Sequence, residues 1–149
     1  MKYETPHTGH LIDLALNLDP IDVTEIECST GLEPFLSLCD SAMASLDCRV
    51  VCDGDRVLGV YGLVPCDKDP RVGYPWGFFA DNFRELPKTL LRDSRKVLTT
   101  WAGRYEQLKV CVMESNERSI RYLTWLGFQP SGVILQGLEN TIFKEYVYV

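Results

Sequence analysis

Long apolar runs are missing from this sequence of 149 residues. No stretch approaches the roughly 18 consecutive apolar residues that a helix needs to cross a bilayer. The opening residues, MKYETPHTGH, lack the apolar core of a signal peptide. We therefore expect no membrane partner, and we expect the protein to stay in the cytoplasm of the cell that makes it or to be packaged from there.

Basic residues are scarce at the N-terminal end. Residues 1–47 contain nine acidic side chains and one basic side chain, Lys2, whereas residues 48–149 contain twelve acidic and fourteen basic side chains. Because phosphate neutralisation supplies most of the affinity of nucleic-acid binders, this chain of net charge −6 is expected to have no nucleic-acid partner. The acidic third either attracts a cationic acceptor or simply keeps the surface solvated.

Histidine is rare, and the six cysteines include no C-x-x-C pair. His7 and His10 are far in sequence from the cysteines and complete no evident ligand set, so we expect no metal. Cys48 and Cys52 share one face of a strand pattern but point in parallel. We interpret the cysteines as buried free thiols, with disulfides as the alternative.

The apolar pattern of the first half indicates helices after a short edge strand. Residues 2–7 predict the strand and residues 8–18 the first helix. The spacing of Asp22 and Glu25 is that of a capping box, which predicts that a short helix opens there. Pro34 suits the first position of a third helix.

Residues 48–65 predict a β-hairpin, because two β-rich runs flank the turn sequence Asp53-Gly54-Asp55-Arg56. Gly59 and Gly62 indicate a bulge or close packing by another element. Residues 74–80 predict a further strand.

The second half alternates helix and strand. Residues 88–108 predict a long amphipathic helix with Pro87 at its first position. Residues 133–138 and 141–149 predict a closing hairpin. The order of elements fits one α+β domain, residues 1–149, around a mixed sheet.

The most informative stretch is LKVCVMESNERSIRYLTWLGF, residues 108–128. Its β-branched opening predicts a strand that is apolar on both faces. Asn116 is a good N-cap for the helix that follows. Gly127 stands where a left-handed residue should end that helix, and Phe128 can fold back onto the last turn.

The segment from Asn116 to Phe128 resembles the C-terminal motif of the GNAT N-acetyltransferase superfamily. In that motif an Asn at a strand end is followed by a small residue, an aliphatic residue and then Gly-Phe, and Ser119, Ile120 and Gly127 fall in register. The resemblance implies a GNAT-like fold, a central mixed, mostly antiparallel sheet with a splayed parallel strand pair, flanked by helices.

The order of features along the chain also resembles a narrower group, the GNAT-like proteins of tailed phages related to the small internal virion protein of short-tailed phages. This second resemblance covers nearly the full length. It is carried by residues 22–26, 31–34, 53–54, 58–62 and 75–76, then the long helix and the Asn-to-Phe motif.

The GNAT resemblance implies transfer of an acyl group from acyl-CoA, with acetyl-CoA as the cofactor, to an amine. In the family the pyrophosphate rests on backbone amides at a helix N-terminus beside two splayed strands. Here the strands would be residues 76–80 and 109–113. The implied cofactor-binding residues are Phe79, Ala80, Arg84, Lys88 and Asn116.

The phosphate loop departs from the family pattern. The family's loop is rich in glycine, whereas residues 81–88 read DNFRELPK and contain none. The side chains of Arg84, Lys88, Arg92 and Arg95 could clamp phosphate in place of the backbone, and the alternative is a solvated basic face.

The positions of the family's catalytic acid and base also differ in this sequence. The family's Tyr acid is replaced by Leu123, and the adjacent Tyr122 is rotated by about 100° around the helix. We interpret Tyr122 as a packed or surface aromatic. Glu25, Glu33 or Asp81 could act as the base only if the fold brought one to the splayed strands, so the catalytic residues stay unassigned.

Two functions remain open at this point. The chain is an N-acyltransferase with a degenerate phosphate loop, or it is a non-catalytic phage virion or morphogenesis protein that keeps the fold and binds a virion partner. The missing elements favour loss of efficient catalysis, and fold alone does not decide.

Overall fold

The computed structural model describes residues 1–80 and 87–148. Within these residues none of the helices is both long and apolar enough to cross a membrane. The strands are β1 (Lys2–Glu4), β2 (Arg49–Asp53), β3 (Arg56–Pro65), β4 (Val72–Phe79), β5 (Gln107–Met113), β6 (Gln129–Gln136) and β7 (Ile142–Tyr148). The helices are α1 (Thr8–Leu16), α2 (Pro20–Thr30), α3 (Pro34–Ala44), α4 (Lys88–Ala102) and α5 (Glu117–Leu126).

The strands hydrogen-bond in the order β1-β2-β3-β4-β5-β7-β6. The pairs β1–β2, β2–β3, β5–β7 and β6–β7 are antiparallel, and β4–β5 is parallel. The predicted mixed, mostly antiparallel sheet flanked by helices is therefore confirmed. The predicted N-terminal edge strand is also confirmed, because β1 lies at one end of the order.

The chain divides into two compact units. The first contains Met1–Val64 and Pro75–Arg84, and the second contains Pro65–Tyr74 and Glu85–Val149. That residues 1–149 act as a single domain stays a prediction.

The core of the first unit joins three helices to the β2–β3 hairpin. Apolar side chains of α1, α2 and α3 pack there with side chains of β2 and β3, each contributing about 1.5–3 kcal/mol of burial free energy. Its buried members are Leu11, Leu14, Leu18, Ile26, Leu38, Val50, Cys52, Val57, Val60 and Ala80.

The start of helix α2 differs from the prediction, whereas the start of α3 does not. Helix α2 begins at Pro20, because the Asp19 carboxylate accepts a hydrogen bond from the Ile21 amide at 2.9 Å and caps the helix. The predicted cap, Asp22, lies instead in the first turn and is buried. Pro34 begins α3 as predicted.

The glycines of β3 are sites of close approach. A Cβ on Gly59 would lie 2.7 Å from the carbonyl oxygen of Phe78, and one on Gly62 would lie 2.7 Å from Ser45 Oγ. The β2–β3 register also shifts next to Gly59, where Val51 pairs with it and Cys52 pairs with Val57. Both predicted explanations, a bulge and close packing, are confirmed.

In the second unit, α4 packs on β5 through a stripe of period 3.6. Leu90, Leu98 and Trp101 are buried on the helix, and Leu108, Val112 and Met113 are buried on the strand. The predicted helix over residues 88–108 was too long, since α4 ends at Ala102 and residue 107 already belongs to β5. The strand is not apolar and buried throughout, because Cys111 is exposed.

Candidate functional site

The parallel ladder between β4 and β5 is only two pairs long. Val72 pairs with Gln107 and Gly73 with Leu108, and no further β4–β5 pair occurs among the residues that the structure describes. Strand β5 runs on to Met113, paired with β7 along its other edge. The predicted parallel pairing of these two strands is therefore confirmed for Val72 and Gly73 with Gln107 and Leu108, all within the second unit.

Helix α4 starts at Lys88, directly after Pro87. Pro87 is the N-cap residue of the helix, whereas it was predicted to be the first helical residue. No side-chain cap is seen among the described residues. The first turn contains no acidic residue, and the exposed Lys88 opens it. The amides and the helix dipole thus present positive charge here, as an anion requires.

The residues of the predicted basic clamp are only partly within the described part of the chain, and the clamp stays a prediction. Arg84 belongs to residues 81–86, which lie outside the described part of the chain. Arg92 is exposed. Arg95 packs against α5, where its Nη2 donates to the carbonyl oxygen of Trp125 at 3.1 Å and its guanidinium lies 3.8 Å above the Trp125 ring.

Phe79 and Ala80 contribute to packing in the first unit. Ala80 is 1% exposed, and its amide donates to the carbonyl oxygen of Leu58 at 2.9 Å. The Phe79 ring fills the space beside Gly59. The Ala80 amide therefore already has an acceptor inside the protein.

Asn116 joins β5 to α5. Its side chain is 1% exposed, and its Oδ1 accepts from the Ser119 amide at 3.4 Å. At the far end of the helix Gly127 has φ 111°, and the Phe128 amide donates to the carbonyl oxygen of Leu123 at 3.0 Å. The predicted cap and the predicted stop are both confirmed.

Tyr122 on α5 is hydrogen-bonded to α4. Its hydroxyl donates to Ser94 Oγ at 2.6 Å, and Ser94 in turn donates to the carbonyl oxygen of Leu90 at 2.8 Å. This confirms the interpretation of Tyr122 as a packed aromatic. Leu123, at the position of the family's acid, is half-buried and has no proton to give.

The candidate bases stand in different settings. Glu25 is buried on α2. Glu33 is exposed as the N-cap residue of α3. Asp81 lies outside the described residues. The general base therefore remains unassigned.

The thiols are free but not uniformly buried. All six cysteines are unpaired with each other, and they range from buried Cys28 to exposed Cys111. Cys66 accepts a hydrogen bond from the Tyr74 hydroxyl at 3.7 Å, which lowers the pKa of the Cys66 thiol.

One cluster was missed by the sequence analysis. Glu4 on β1, His10 on α1 and Cys52 on β2 place potential ligand atoms within 4.8 Å of one another. Burial is the main cause that lowers the pKa of His10 and raises the pKa of Cys52. Nothing in the sequence indicated that α1 would place His10 beside Glu4 of β1 and Cys52 of β2.

Of the comparisons with known proteins, only the comparison with solved structures found matches, and these matches identify the fold. No protein-family profile and no curated protein matches the chain. Solved structures do match: ribosomal-protein-alanine N-acetyltransferase from Brucella melitensis superposes with a TM-score of 0.70 at 14% identity, over 100% of this chain and 99% of that chain.

Two further solved structures agree. Spermidine N-acetyltransferase from Vibrio cholerae, solved with CoA and spermine, gives a TM-score of 0.71 at 12% identity, over 99% of this chain and 94% of that chain. A GNAT-family acetyltransferase from Bacillus anthracis gives 0.71 at 9% identity, over 99% and 93%. Such low identities establish architecture and not activity. The chain has the fold of the GNAT N-acetyltransferases.

Proposed function

We propose that this protein is an acyl-CoA-dependent N-acyltransferase that transfers an acyl group, acetyl in the simplest case, to an amine. The observation that carries the proposal is the two-pair β4–β5 ladder. A strand that leaves its parallel neighbour has main-chain N–H and C=O groups that need partners. The amide groups of a pantetheine arm are proposed as partners for the main chain of β5 between Lys109 and Val112.

The start of α4 is proposed to hold the cofactor's phosphates. Lys88 is exposed there, the first turn lacks acidic residues, and the helix dipole favours an anion. Arg84 is proposed as a second cation of the same clamp. Since residues 81–88 contain no glycine, these side chains replace a closely approaching backbone.

Phe79, Ala80 and Asn116 take supporting parts in this proposal. The Ala80 amide is already bonded to Leu58, so Phe79 and Ala80 contribute apolar surface rather than a donor. Asn116 fixes the turn between β5 and α5 through its cap.

The proposed reaction is direct attack. The amine nitrogen adds to the thioester carbonyl carbon, the C–S bond breaks, and the CoA thiolate leaves. The amine's proton passes to water or a carboxylate. The Tyr122 hydroxyl donates to Ser94, so we propose solvent and not Tyr122 as the acid that protonates the thiolate. Without a positioned acid the rate is expected to be low.

The acceptor is proposed to be a cationic amine. Residues 1–47 contain ten Asp, Glu, Lys and Arg side chains, and nine of them are acidic, so the field of this segment attracts cations. The structural neighbours include a spermidine N-acetyltransferase, which supports the same class of acceptor.

Ligand-dependent thermal stability tests the proposal. CoA and acetyl-CoA should each raise the Tm of the full chain by mass action, and Arg84→Ala with Lys88→Ala should abolish the rise. Lys96→Ala is the matched control, because it removes one positive charge from the same helix two turns further on. No rise at millimolar ligand would overturn the proposal.

A second candidate function is the phage virion or morphogenesis protein. The observation that favours it is the exposed apolar surface of the β6–β7 hairpin, where all of β6 is exposed. Its exposed apolar residues are Val133, Ile134, Leu135, Leu138 and Ile142. This candidate requires the protein to be present in purified particles of the phage that encodes it, which mass spectrometry can decide. Under the first candidate the protein stays in the host cytoplasm.

A further inference from the structure

We infer that Glu4, His10 and Cys52 form a binding site for one divalent metal ion of the zinc type. Each residue offers one ligand atom, and the three atoms lie within 4.8 Å of one another. Carboxylate oxygen, imidazole nitrogen and thiolate sulfur are the three donor types that Zn²⁺ uses in proteins. The site lies entirely within the first unit.

The spacing of the donors suits tetrahedral coordination. His10 Nε2 and Glu4 Oε1 are 3.4 Å apart. Zn–N and Zn–O bonds of about 2.0–2.1 Å give a tetrahedral edge of about 3.3 Å. A Zn–S bond of about 2.3 Å gives an edge of about 3.6 Å. Since the Cys52 sulfur lies within 4.8 Å of the other two donor atoms, it need move inward by no more than about 1 Å.

The scaffold brings the donors to one face. Lys2 pairs with Cys52 and Glu4 pairs with Val50 in the antiparallel β1–β2 ladder. Directly opposed residues share a face, and so do residues two apart, so Glu4 and Cys52 are diagonal neighbours. Helix α1 adds His10, whose side chain is only 13% exposed.

His7 holds the imidazole of His10 in place. The His7 amide donates to His10 Nδ1 at 3.2 Å, and the two rings stack with centroids 3.6 Å apart. Nδ1 therefore accepts, and Nε2 is the nitrogen that faces Glu4. The stacked His7 ring is the contact that can keep the imidazole in this orientation with or without the metal.

Charge and proton balance favour a divalent cation. Binding converts the Cys52 thiol to a thiolate and releases one proton to solvent, and the His10 proton shifts from Nε2 to Nδ1 as Nε2 takes the metal. One carboxylate and one thiolate then neutralise the ion. Lys2, whose ammonium is 3.5 Å from Glu4 Oε2 and whose side chain is 76% exposed, is free to turn into solvent.

The same proton shift predicts a local rearrangement. Once Nδ1 carries the proton it can no longer accept from the His7 amide, so that hydrogen bond must break. The three protein donors leave a fourth position for water. The ion would fasten the edge strand β1 to α1 and β2, and sulfur and nitrogen donors would select Zn²⁺ or Co²⁺ over Mg²⁺.

Titration of the full chain with Co²⁺ tests the inference. We expect one equivalent to produce tetrahedral d–d bands and a sulfur-to-cobalt charge-transfer band, both lost on adding Zn²⁺. Cys52→Ser should abolish the charge-transfer band, and Cys48→Ser, a half-buried thiol of the same segment outside the cluster, should leave it unchanged. Glu4→Gln and His10→Gln should each weaken binding by at least about 10–100-fold.

Folding of each variant is checked by its circular dichroism and Tm without metal. Zn²⁺ should raise the Tm of the wild type and of Cys48→Ser, and not that of His10→Gln, which keeps the inference testable if Cys52→Ser fails to fold. Absence of any charge-transfer band at millimolar Co²⁺, or an equal band in Cys52→Ser, would overturn it.

Discussion

The hydroxyl of Tyr122 donates to Ser94 Oγ at a distance of 2.6 Å. This bond connects α5 to α4, and the Ser94 hydroxyl in turn donates a hydrogen bond to the carbonyl oxygen of Leu90. A hydroxyl held in this way supports packing. It also explains why the residue beside the family's acid position need not have a catalytic role.

Tyr122→Phe is expected to lower the free energy of unfolding by about 0.5–1.5 kcal/mol, the net worth of one hydrogen bond. Denaturation in urea measures the change. A double-mutant cycle with Ser94→Ala should show that the two losses are not additive, because each variant removes the same bond. If the chain transfers acyl groups, Tyr122→Phe should leave kcat unchanged, and a large fall in kcat would restore Tyr122 as the acid.

Regular patterns made much of the second unit predictable. The 3.6-residue stripe of α4 and the glycine at position 127 act locally, so the sequence around them contains the physical cause. The end of α4 was missed because the apolar period continues into residues 105–108. Those residues leave the helix, and residue 107 onward pairs with β4 and β7.

Long-range juxtapositions were not predictable. His10 meets Cys52 only because β1 pairs with β2 and α1 covers that face, and no local pattern encodes that pairing. The start of α2 was missed for a different reason. Asp22 and Glu25 match a capping box, but Asp19 followed by Pro20 offers a competing start that supplies both a cap and a proline at the first helical position.

Arg95 and Trp125 are expected to form a measurable cation–π contact. The guanidinium lies 3.8 Å from the ring centroid, and Arg95→Gln should cost about 0.5–1 kcal/mol of unfolding free energy. Intrinsic tryptophan fluorescence should change as the indole loses its neighbour. Lys96→Gln is the control, since it removes the adjacent positive charge without touching the ring. A fluorescence change of equal size in Lys96→Gln would show that the contact is not responsible.

Gly59→Ala is expected to destabilise the first unit by about 1–3 kcal/mol, the usual cost of overpacking. The new Cβ would lie 2.7 Å from the Phe78 carbonyl oxygen, which is main chain and cannot turn away as a side chain could. Gly103→Ala is the matched control, because its Cβ would meet the carbonyl oxygens of Thr100 and Thr99 at ordinary contact distances of 3.4 and 3.8 Å. The midpoints of urea denaturation, at constant m-value, measure the loss of stability in each variant. An equal loss in Gly59→Ala and Gly103→Ala would contradict the predicted clash.

Cys66 should be the first thiol to react with iodoacetamide near neutral pH. The Tyr74 hydrogen bond lowers its pKa, and burial raises the pKa of both Cys48 and Cys52. Since the thiolate is the nucleophile, a lower pKa gives more reactive thiolate at a given pH, and the rate profile of Cys66 should level off at a lower pH.

Peptide mass spectrometry of partially alkylated protein ranks the cysteines by their extent of alkylation. Cys111 serves as the internal control, because it is the exposed thiol and access alone would make it first. Tyr74→Phe should move the Cys66 profile to higher pH by removing the donor. Preferential alkylation of Cys111 would show that exposure, and not the hydrogen bond, decides reactivity.

Asn116 allows packing and cofactor roles to be separated. Asn116→Ala removes the acceptor for the Ser119 amide and should cost about 0.5–2 kcal/mol, whereas Asn116→Ser keeps a capping oxygen and should restore most of that loss. Ser115→Ala, an exposed neighbour, should be neutral. If Asn116 serves only as a cap, Asn116→Ser restores the Tm rise caused by CoA together with stability. If Asn116 contacts the cofactor, stability returns without the CoA response, because the shorter serine cannot reproduce the amide's second polar atom.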